Sequence, residues 1–153
     1  MEKELRYGII GCGGFGAHHL TGLERVFGSK IVALCDKHIE KCYPLAEKYG
    51  VPKECCFSDF NDMVKMENID IVIVATSDKA HAPATVAALR AGKHVLCEKP
   101  MALNLGDCIQ MIHAADETGK KLMIGQVCRM APGFVEAKRL VDKGIIGELY
   151  YVE

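Results

Sequence analysis

Short apolar segments alternate along the chain with segments of helical period, and turn residues separate the two kinds. This alternation is typical of parallel β-strands that are joined by crossover helices. Residues 71–74 are apolar without a polar position between them, which predicts a central strand covered on both faces. We predict strands over residues 6–10, 31–35, 55–57, 69–75, 94–97 and 122–124.

The intervening segments predict helices whose ends are marked by capping and turn residues. They span residues 80–91 before Gly92, 105–118 between Asn104 and Gly119, and 132–143 before Gly144. Pro44 predicts that the helix after residue 35 either starts late, near Cys42, or is kinked. Positions spaced four apart predict that the first helix turns one stripe toward the sheet. That stripe consists of Phe15, His19, Leu23 and Phe27.

These elements predict an α/β fold, a doubly wound and mostly parallel sheet with helices on both faces. The last residues, 148–153, have the composition of a strand, and no hairpin or partner strand follows them. We therefore expect the chain to end inside an element that belongs to a further domain.

Length and composition fit one globular domain and narrow the classes of partner. The 153 residues are 50% hydrophobic and 25% charged. The net charge of -1 and the lack of a basic stripe argue against nucleic acid as a partner. No apolar run approaches the roughly 20 residues of a membrane span, and the charged start is unlike a signal peptide. We therefore expect no membrane association and a cytoplasmic location.

The eight cysteines contain no Cys-x-x-Cys pair, and several lie inside apolar segments. Cysteine in such a segment behaves as a small hydrophobic residue. We therefore predict reduced thiols in the core, rather than a disulfide framework, and no metal site.

The turn after the first strand carries the motif G-x-G-x-x-G at residues 11–16, Gly-Cys-Gly-Gly-Phe-Gly. Gly11 permits a tight turn, Gly13 lets the backbone approach a pyrophosphate, and Gly16 lets helix and strand pack closely. Asp36 ends the next strand, where an acid accepts both hydroxyls of an adenosine ribose. The pattern predicts a Rossmann domain that binds a nicotinamide dinucleotide. NAD is favoured over NADP, because Asp36 would repel a 2′-phosphate.

Gly14 and Phe15 complete this predicted cofactor-binding loop. Two other interpretations stay open at this point: a glycine turn in an unrelated parallel-sheet protein, and an S-adenosylmethionine-dependent methyltransferase. The third glycine at this spacing favours a dinucleotide over S-adenosylmethionine. A P-loop is excluded, because Ala17 and His18 occupy the positions of its lysine and its serine or threonine.

Later segments, together with the glycine loop, resemble the Gfo/Idh/MocA oxidoreductases, the family of glucose-fructose oxidoreductase and inositol dehydrogenase. The similar segments cover nearly the whole chain, and several motifs occur in the family's order. They are residues 75–81, Ala-Thr-Ser-Asp-Lys-Ala-His; 91–100, Ala-Gly-Lys-His-Val-Leu-Cys-Glu-Lys-Pro; 122–126, Leu-Met-Ile-Gly-Gln; Arg129; and 143–148, Lys-Gly-Ile-Ile-Gly-Glu.

The resemblance implies roles for the residues at matched positions. Lys99 corresponds to the family lysine beside the nicotinamide and the reacting carbon of the substrate, and it is the predicted catalytic residue. Pro100 matches a proline that often follows a cis peptide bond. The other predicted cofactor-binding residues are Ala75, Thr76, Ser77, His81, Glu98, Gln126 and Arg129, together with Lys99 itself. Met130 departs from the family, which commonly has an aromatic residue there, so the resemblance does not extend to this wall of the pocket.

Three of these residues also have purely structural interpretations. Lys99, before a proline at a strand end, fits a solvated surface charge. His81, at a helix start, fits a capping or surface histidine, and Glu98 fits a partner of a neighbouring cation. A further alternative, a non-catalytic NAD-binding sensor or scaffold, concerns the whole chain. The presence of Lys99 in its motif argues against it.

As a whole, the resemblance implies hydride transfer between nicotinamide and a carbinol carbon of a sugar, polyol or related compound. Lys99 would assist the departure of the hydroxyl proton. The family also has a second α/β domain, which forms the substrate wall and usually the interface of a homo-oligomer. We therefore expect residues 1–147 to form the NAD(P)-binding domain and residues 148–153 to begin a truncated substrate domain. The chain alone is expected to be inactive.

Overall fold

The computed structural model describes residues 4–151, which form a six-stranded parallel sheet with helices on both faces. The strands are β1 (Leu5–Ile10), β2 (Ser29–Cys35), β3 (Cys56–Phe57), β4 (Ile71–Val74), β5 (His94–Cys97) and β6 (Leu122–Ile124). The helices are α1 (Gly14–Leu23), α2 (Cys42–Tyr49), α3 (Phe60–Met63), α4 (His81–Arg90), α5 (Leu105–Thr118) and α6 (Pro132–Asp142). Short 3₁₀ turns span Ile39–Lys41, Lys53–Cys55, Asp78–Ala80 and Val127–Met130.

The strand order is β3-β2-β1-β4-β5-β6, so the chain builds outward from β1 and then crosses back to place β4 on the other side. In sheets of this order, ligands bind where the direction reverses, outside the carboxyl ends of β1 and β4. Val72 and Val74 of β4 are fully buried, as expected for a central strand. The predicted doubly wound parallel sheet is confirmed.

The two faces of the sheet have separate hydrophobic cores. On one face, α1 and α2 pack through buried residues that include Leu20 and Cys42. On the other face, α3, α4 and α5 pack through residues that include Met63, Leu89 and Met111. Coverage on both faces explains why apolar residues follow one another in β4 without alternating with polar ones.

The helices begin and end at the capping residues that the sequence predicted. The side chain of Asn104 accepts a hydrogen bond from the backbone N–H of the third residue of α5 (2.9 Å). Gly119, with a φ of +64°, ends the same helix, and Gly92 and Gly144 adopt positive φ after α4 and α6. Helix α2 begins at Cys42, so the late start is confirmed.

The stripe predicted for the first helix is wrong at both phenylalanines. Phe15 and Phe27 are 59% and 93% exposed, and α1 ends at Leu23, so that Phe27 lies outside the helix. Leu23 of the predicted stripe is buried, and the rest of the buried side of α1 consists of Gly16 and Leu20. A Cβ at Gly16 would collide with the carbonyl oxygen of Gly11. This close approach at the end of β1 fixes the rotation of the helix and turns Phe15 away from the core.

Helix α6 forms as predicted, but none of residues 132–142 is buried. Residues 148–151 contain no strand, so the strand predicted over 148–153 is wrong within the described residues. Val152 and Glu153 lie outside them. A strand obtains its backbone hydrogen bonds from a partner, and residues 4–151 provide no partner strand for this segment.

Candidate cofactor site

The loop between β1 and α1 combines two tight backbone contacts with an open helix end. Gly11 has a φ of +98°, and a Cβ there would collide with the carbonyl oxygen of Ala75, just after β4. Gly16 meets the carbonyl of Gly11 in the same way. In contrast, a Cβ at Gly13 or Gly14 would meet no atom within 4 Å. Free space at a helix N-terminus, where N–H groups are unpaired, fits a pyrophosphate.

The carboxylate of Asp36 is held by two backbone N–H groups. Cys12 donates to Oδ2 at 2.9 Å, and His38 donates to Oδ1 at 3.0 Å. The N–H of Gly11 donates to the carbonyl oxygen of Cys35 at 2.7 Å, which ties the glycine loop to the end of β2. Each carboxylate oxygen keeps a further lone pair with which to accept a ribose hydroxyl. Asp36, the residue predicted to bind the ribose, therefore borders the glycine loop, and its carboxylate is held in a fixed orientation.

A cavity of about 480 Å³ lies at the carboxyl ends of β1, β2, β3 and β4. It brings together predicted site residues from the ends of three strands. These are Gly11, Gly13, Asp36, Ala75, Thr76 and Ser77. Its lining also includes residues that the sequence analysis did not single out: Lys37, Lys41, Ser58, Asp59 and Phe60.

A second, smaller cavity of about 90 Å³ adjoins the first, because Ala75 and Thr76 line both. The other predicted site residues that line it are Phe15, His81, Glu98 and Lys99. The two cavities together follow the carboxyl edge of the sheet from β3 to β5. Of the remaining glycines of the loop, Gly14 is the first residue of α1 and Gly16 is buried within that helix.

His81 is the first residue of α4 and is only 1% exposed, so the interpretation as a surface histidine is wrong. Its Nδ1 lies 2.7 Å from the carbonyl oxygen of Pro100, and its Nε2 lies 3.3 Å from that of Thr76. The ring thus joins the loop after β4 to the segment after β5. The peptide bond between Lys99 and Pro100 is cis, as the resemblance implied.

Glu98 is 7% exposed, and its carboxylate faces α1. Oε1 lies 2.8 Å from Nε2 of His19, and Oε2 accepts the backbone N–H of Lys99 at 3.2 Å. The side chain of Lys99 is exposed, and its Nζ lies 5.3 Å from the ring centre of Phe15. Glu98 therefore has its side-chain partner on α1, a contact that the sequence did not predict.

The predicted residues after β6 are not brought to these cavities. Gln126 and Arg129 are exposed and line neither cavity, and Met130 is 73% exposed. The nearest link is Gly125, where a Cβ would lie 3.3 Å from Oε1 of Glu98. The structure thus places the start of this segment beside the carboxylate of Glu98 and leaves the side chains of Gln126, Arg129 and Met130 in solvent.

One rule could have found most of the site residues that the sequence analysis missed. Residues 58–60 directly follow β3, and the carboxyl ends of parallel strands meet at one edge of a sheet. Applying that rule to the third strand, as to the others, would have included them. Lys37 and Lys41 follow β2 by the same rule. His19 lies on the stripe predicted to face the sheet, but its contact with Glu98 also depends on the packing of α1 against the end of β1.

Residues 5–126 match the family model described as "Oxidoreductase family, NAD-binding Rossmann fold", which is the model for Gfo/Idh/MocA proteins. The chain belongs to this family. Inositol 2-dehydrogenase of Salmonella typhimurium is 36% identical over 146 residues, which make up 94% of this chain and 43% of that protein. The predicted NAD-binding Rossmann domain is confirmed, and nothing supports the methyltransferase interpretation.

Solved structures of the family superpose closely on the chain. Aldose-aldose oxidoreductase of Caulobacter crescentus, complexed with glycerol, has a TM-score of 0.83 and 36% identity, covering 95% of this chain and 44% of that one. The WlbA dehydrogenase of Bordetella pertussis, in complex with NADH and UDP-GlcNAcA, has a TM-score of 0.89 and 28% identity, covering 97% and 45%. The chain thus spans less than half the length of these relatives.

Two further properties concern the described residues only. Of the helices within residues 4–151, none combines the length and the apolar character needed to cross a membrane. The same residues contain no cluster of three or more histidine, cysteine, aspartate or glutamate side chains arranged to hold a metal ion.

Proposed function

We propose that this chain is the cofactor-binding domain of an NAD-dependent enzyme that oxidises or reduces a sugar, polyol or related compound. The hydride passes between C4 of nicotinamide and a carbinol carbon. Residues 1–147 form the NAD-binding domain, and residues 148–153 begin the substrate domain. One observation carries this proposal: two adjoining cavities lead from Asp36 past the glycine loop to Lys99.

The first cavity supports NAD as the cofactor. Asp36 presents a carboxylate to the ribose, and the open space beside Gly13 and Gly14 receives the pyrophosphate at the start of α1. Lys37 and Lys41 line the same cavity, and their positive charge would attract a 2′-phosphate. The proposed preference for NAD over NADP therefore depends on whether Asp36 outweighs these lysines, which a titration with both cofactors measures.

The second cavity supports Lys99 as the catalytic residue. When bound, the nicotinamide ring supplies the acceptor or donor of hydride. Lys99 takes the hydroxyl proton at Nζ, which requires its neutral form. Glu98 accepts the N–H of Lys99, and His81 lies against the carbonyl of Pro100, so both orient the backbone that carries the lysine.

Lys99 is exposed to solvent within residues 4–151. A substrate domain that removed this water would align the substrate carbon with the nicotinamide. The chain alone therefore binds NAD without useful turnover. Gln126 and Arg129, which are also exposed, reach the nicotinamide end only when that domain covers them.

The relatives support the substrate class, since their names give inositol and aldoses. We also propose that the longer protein forms a homo-oligomer through its second domain and that it is located in the cytoplasm. The non-catalytic sensor or scaffold differs in one measurable respect, because it would bind NAD but would not catalyse hydride transfer even with the second domain present.

A cofactor titration tests the first cavity. We expect Asp36→Ala to weaken NADH binding by roughly 10- to 150-fold, equal to the 1.5–3 kcal/mol of hydrogen bonds to a charged group. Asp116→Ala, which removes an exposed aspartate of α5, serves as the matched control and should leave the affinity unchanged. Binding is followed by NADH fluorescence, and NADPH should bind more weakly than NADH. Equal affinity for both cofactors would remove the role assigned to Asp36.

Turnover in a version extended through the second domain tests the second cavity. Inositols and aldoses are the first substrates to assay. Lys99→Ala should lower the rate of NAD reduction far more than it lowers NADH affinity, whereas Lys79→Ala, in the exposed turn before α4, should change neither. An active Lys99→Ala protein would remove the lysine from the mechanism. An extended protein that binds NADH without turnover on either substrate class would favour the sensor.

A further inference from the structure

Two cysteine side chains meet directly beneath the cofactor loop. The Sγ atoms of Cys12, in the glycine motif, and Cys42, the first residue of α2, lie 3.5 Å apart. Cys42 is fully buried and Cys12 is 7% exposed. This is the one sulfur–sulfur hydrogen bond among the eight cysteines, all of which are free thiols within the described residues.

The surroundings of the pair connect it to the ribose-binding carboxylate. The backbone N–H of Cys12 donates to Asp36, so the residue that holds one thiol also orients that side chain. The Cys12 Sγ also lies 3.7 Å from the carbonyl oxygen of Cys35. A change in the position of Cys12 therefore acts on the same loop that borders the cavity.

We propose that Cys12 and Cys42 form a reversible disulfide on exposure to a hydroperoxide, and that the oxidised form binds NAD(H) more weakly. A disulfide has an S–S length of about 2.05 Å, so the two sulfur atoms have to approach each other by about 1.5 Å. Side-chain rotation and movement of the glycine loop provide this approach. Because Cys12 is one residue from both Gly11 and Gly13, such movement displaces the groups that would receive the dinucleotide.

The oxidation has a balanced sequence in which hydrogen peroxide is the oxidant. The sulfur of Cys12, the less buried residue of the pair, takes one oxygen from the peroxide to give a sulfenic acid and one water. The Cys42 sulfur then attacks the Cys12 sulfur, the S–O bond breaks, and the oxygen leaves as a second water with the remaining thiol proton. Two thiols and one peroxide thus give one disulfide and two waters.

The hydrogen bond between the two thiols suits Cys42 to the second step. The hydrogen bond with the Cys12 thiol lowers the pKa of Cys42, although burial opposes this effect. The same hydrogen bond, together with burial, raises the pKa of Cys12. Since the thiolate is the attacking form in disulfide chemistry, Cys42 is the better nucleophile of the pair.

Peptide mapping of the unmodified chain tests whether the disulfide forms. Trypsin cleavage gives one peptide over residues 7–25 that contains only Cys12 and another over residues 42–48 that contains only Cys42. After treatment of reduced protein with a small excess of hydrogen peroxide, the two peptides should be linked without reductant and separate with dithiothreitol. Failure to find the linked peptide, while exposed Cys128 is oxidised, would overturn the proposal.

NADH titration of the same samples tests the effect on the cofactor. We expect the oxidised chain to bind NADH about tenfold or more weakly, the effect of losing one hydrogen bond to a charged group, with recovery in dithiothreitol. Cys42→Ala should bind NADH like the reduced chain and lose the response to peroxide, whereas Cys128→Ser should keep the response. If Cys42→Ala fails to fold, the test uses the unmodified protein together with the linked peptide. Its NADH affinity should fall on oxidation and return in dithiothreitol.

The outcomes separate this inference from the proposed function. A linked peptide without a change in NADH affinity would overturn the effect on cofactor binding. Reduced protein that does not bind NADH at all would instead contradict the cofactor-binding function, and the linked peptide would still report whether the disulfide forms.

Discussion

Helices α5 and α6 have similar lengths and begin and end at clear capping or turn residues, but they differ in what covers them. Met111 and Ala114 of α5 are fully buried in the core that α4 and the sheet share. Helix α6 buries none of its residues, and Phe134 on it is 62% exposed. An amphipathic pattern thus predicts that a helix forms, whereas burial also requires a partner surface within the described residues.

The same difference divides the candidate site. The residues that line the two cavities come from β1 to β5 and their connections, which form the packed region of the molecule. Gln126 and Arg129 belong to the exposed region after β6. We therefore expect cofactor affinity and stability to depend on the packed region and to be insensitive to changes in α6.

The largest expected contrast between the two regions is in cysteine reactivity. Burial raises the pKa of Cys35 to about 12, so that only about one molecule in ten thousand carries its thiolate at pH 8. Cys128, in the turn before α6, is exposed. Iodoacetamide should label Cys128 first. It should label Cys35 on the order of a thousandfold more slowly than a cysteine in a short unstructured peptide. Peptide mass spectrometry measures both rates.

Labelling in urea is the control, because both cysteines should then react at similar rates. Comparable rates for Cys35 and Cys128 in the native protein would mean that the packed region opens readily. The contrast between the regions would then be wrong.

The next contrast concerns the free energy of unfolding. Met111→Ala leaves a cavity in the core and should cost about 2–5 kcal/mol. Phe134→Ala removes a larger side chain from the exposed region and should change stability by less than about 0.5 kcal/mol. Urea unfolding followed by circular dichroism measures both. A large loss with Phe134→Ala would show that α6 packs against the rest of the chain in solution.

The smallest contrast lies in the helix caps. Asn104→Ala removes the side-chain cap of α5 and should lower the free energy of unfolding by about 1 kcal/mol. Ala131, at the corresponding position of α6, provides no side-chain cap. Ala131→Asn should slow amide exchange in the first turn of α6 without raising the global stability. If Ala131→Asn raises the global stability as much as Asn104→Ala lowers it, the two helices are equally coupled to the core.

Much of the fold and half of the site followed from local chemistry. The spacing of Gly16 and Asp36, and the caps of α5, depend on residues close in sequence, and the structure places them as expected. Residues 58–60 enter the cavity only because β3 lies beside β2, which requires the strand order. The contact of His19 with Glu98 depends on a helix rotation that Gly16 fixes through backbone contact, a constraint that hydrophobic spacing does not contain.

The lengths of the strands across the sheet have a consequence for how the protein behaves at high concentration. The two edge strands are the shortest, with two residues in β3 and three in β6, while the interior strands have four to seven. An edge strand offers unpaired N–H and C=O groups to the strands of other molecules, and short edges are one way in which native proteins limit such pairing. Each open edge of this sheet offers few unpaired N–H and C=O groups, so a strand of another molecule would form few hydrogen bonds by pairing with it. The sheet itself therefore opposes aggregation at its borders.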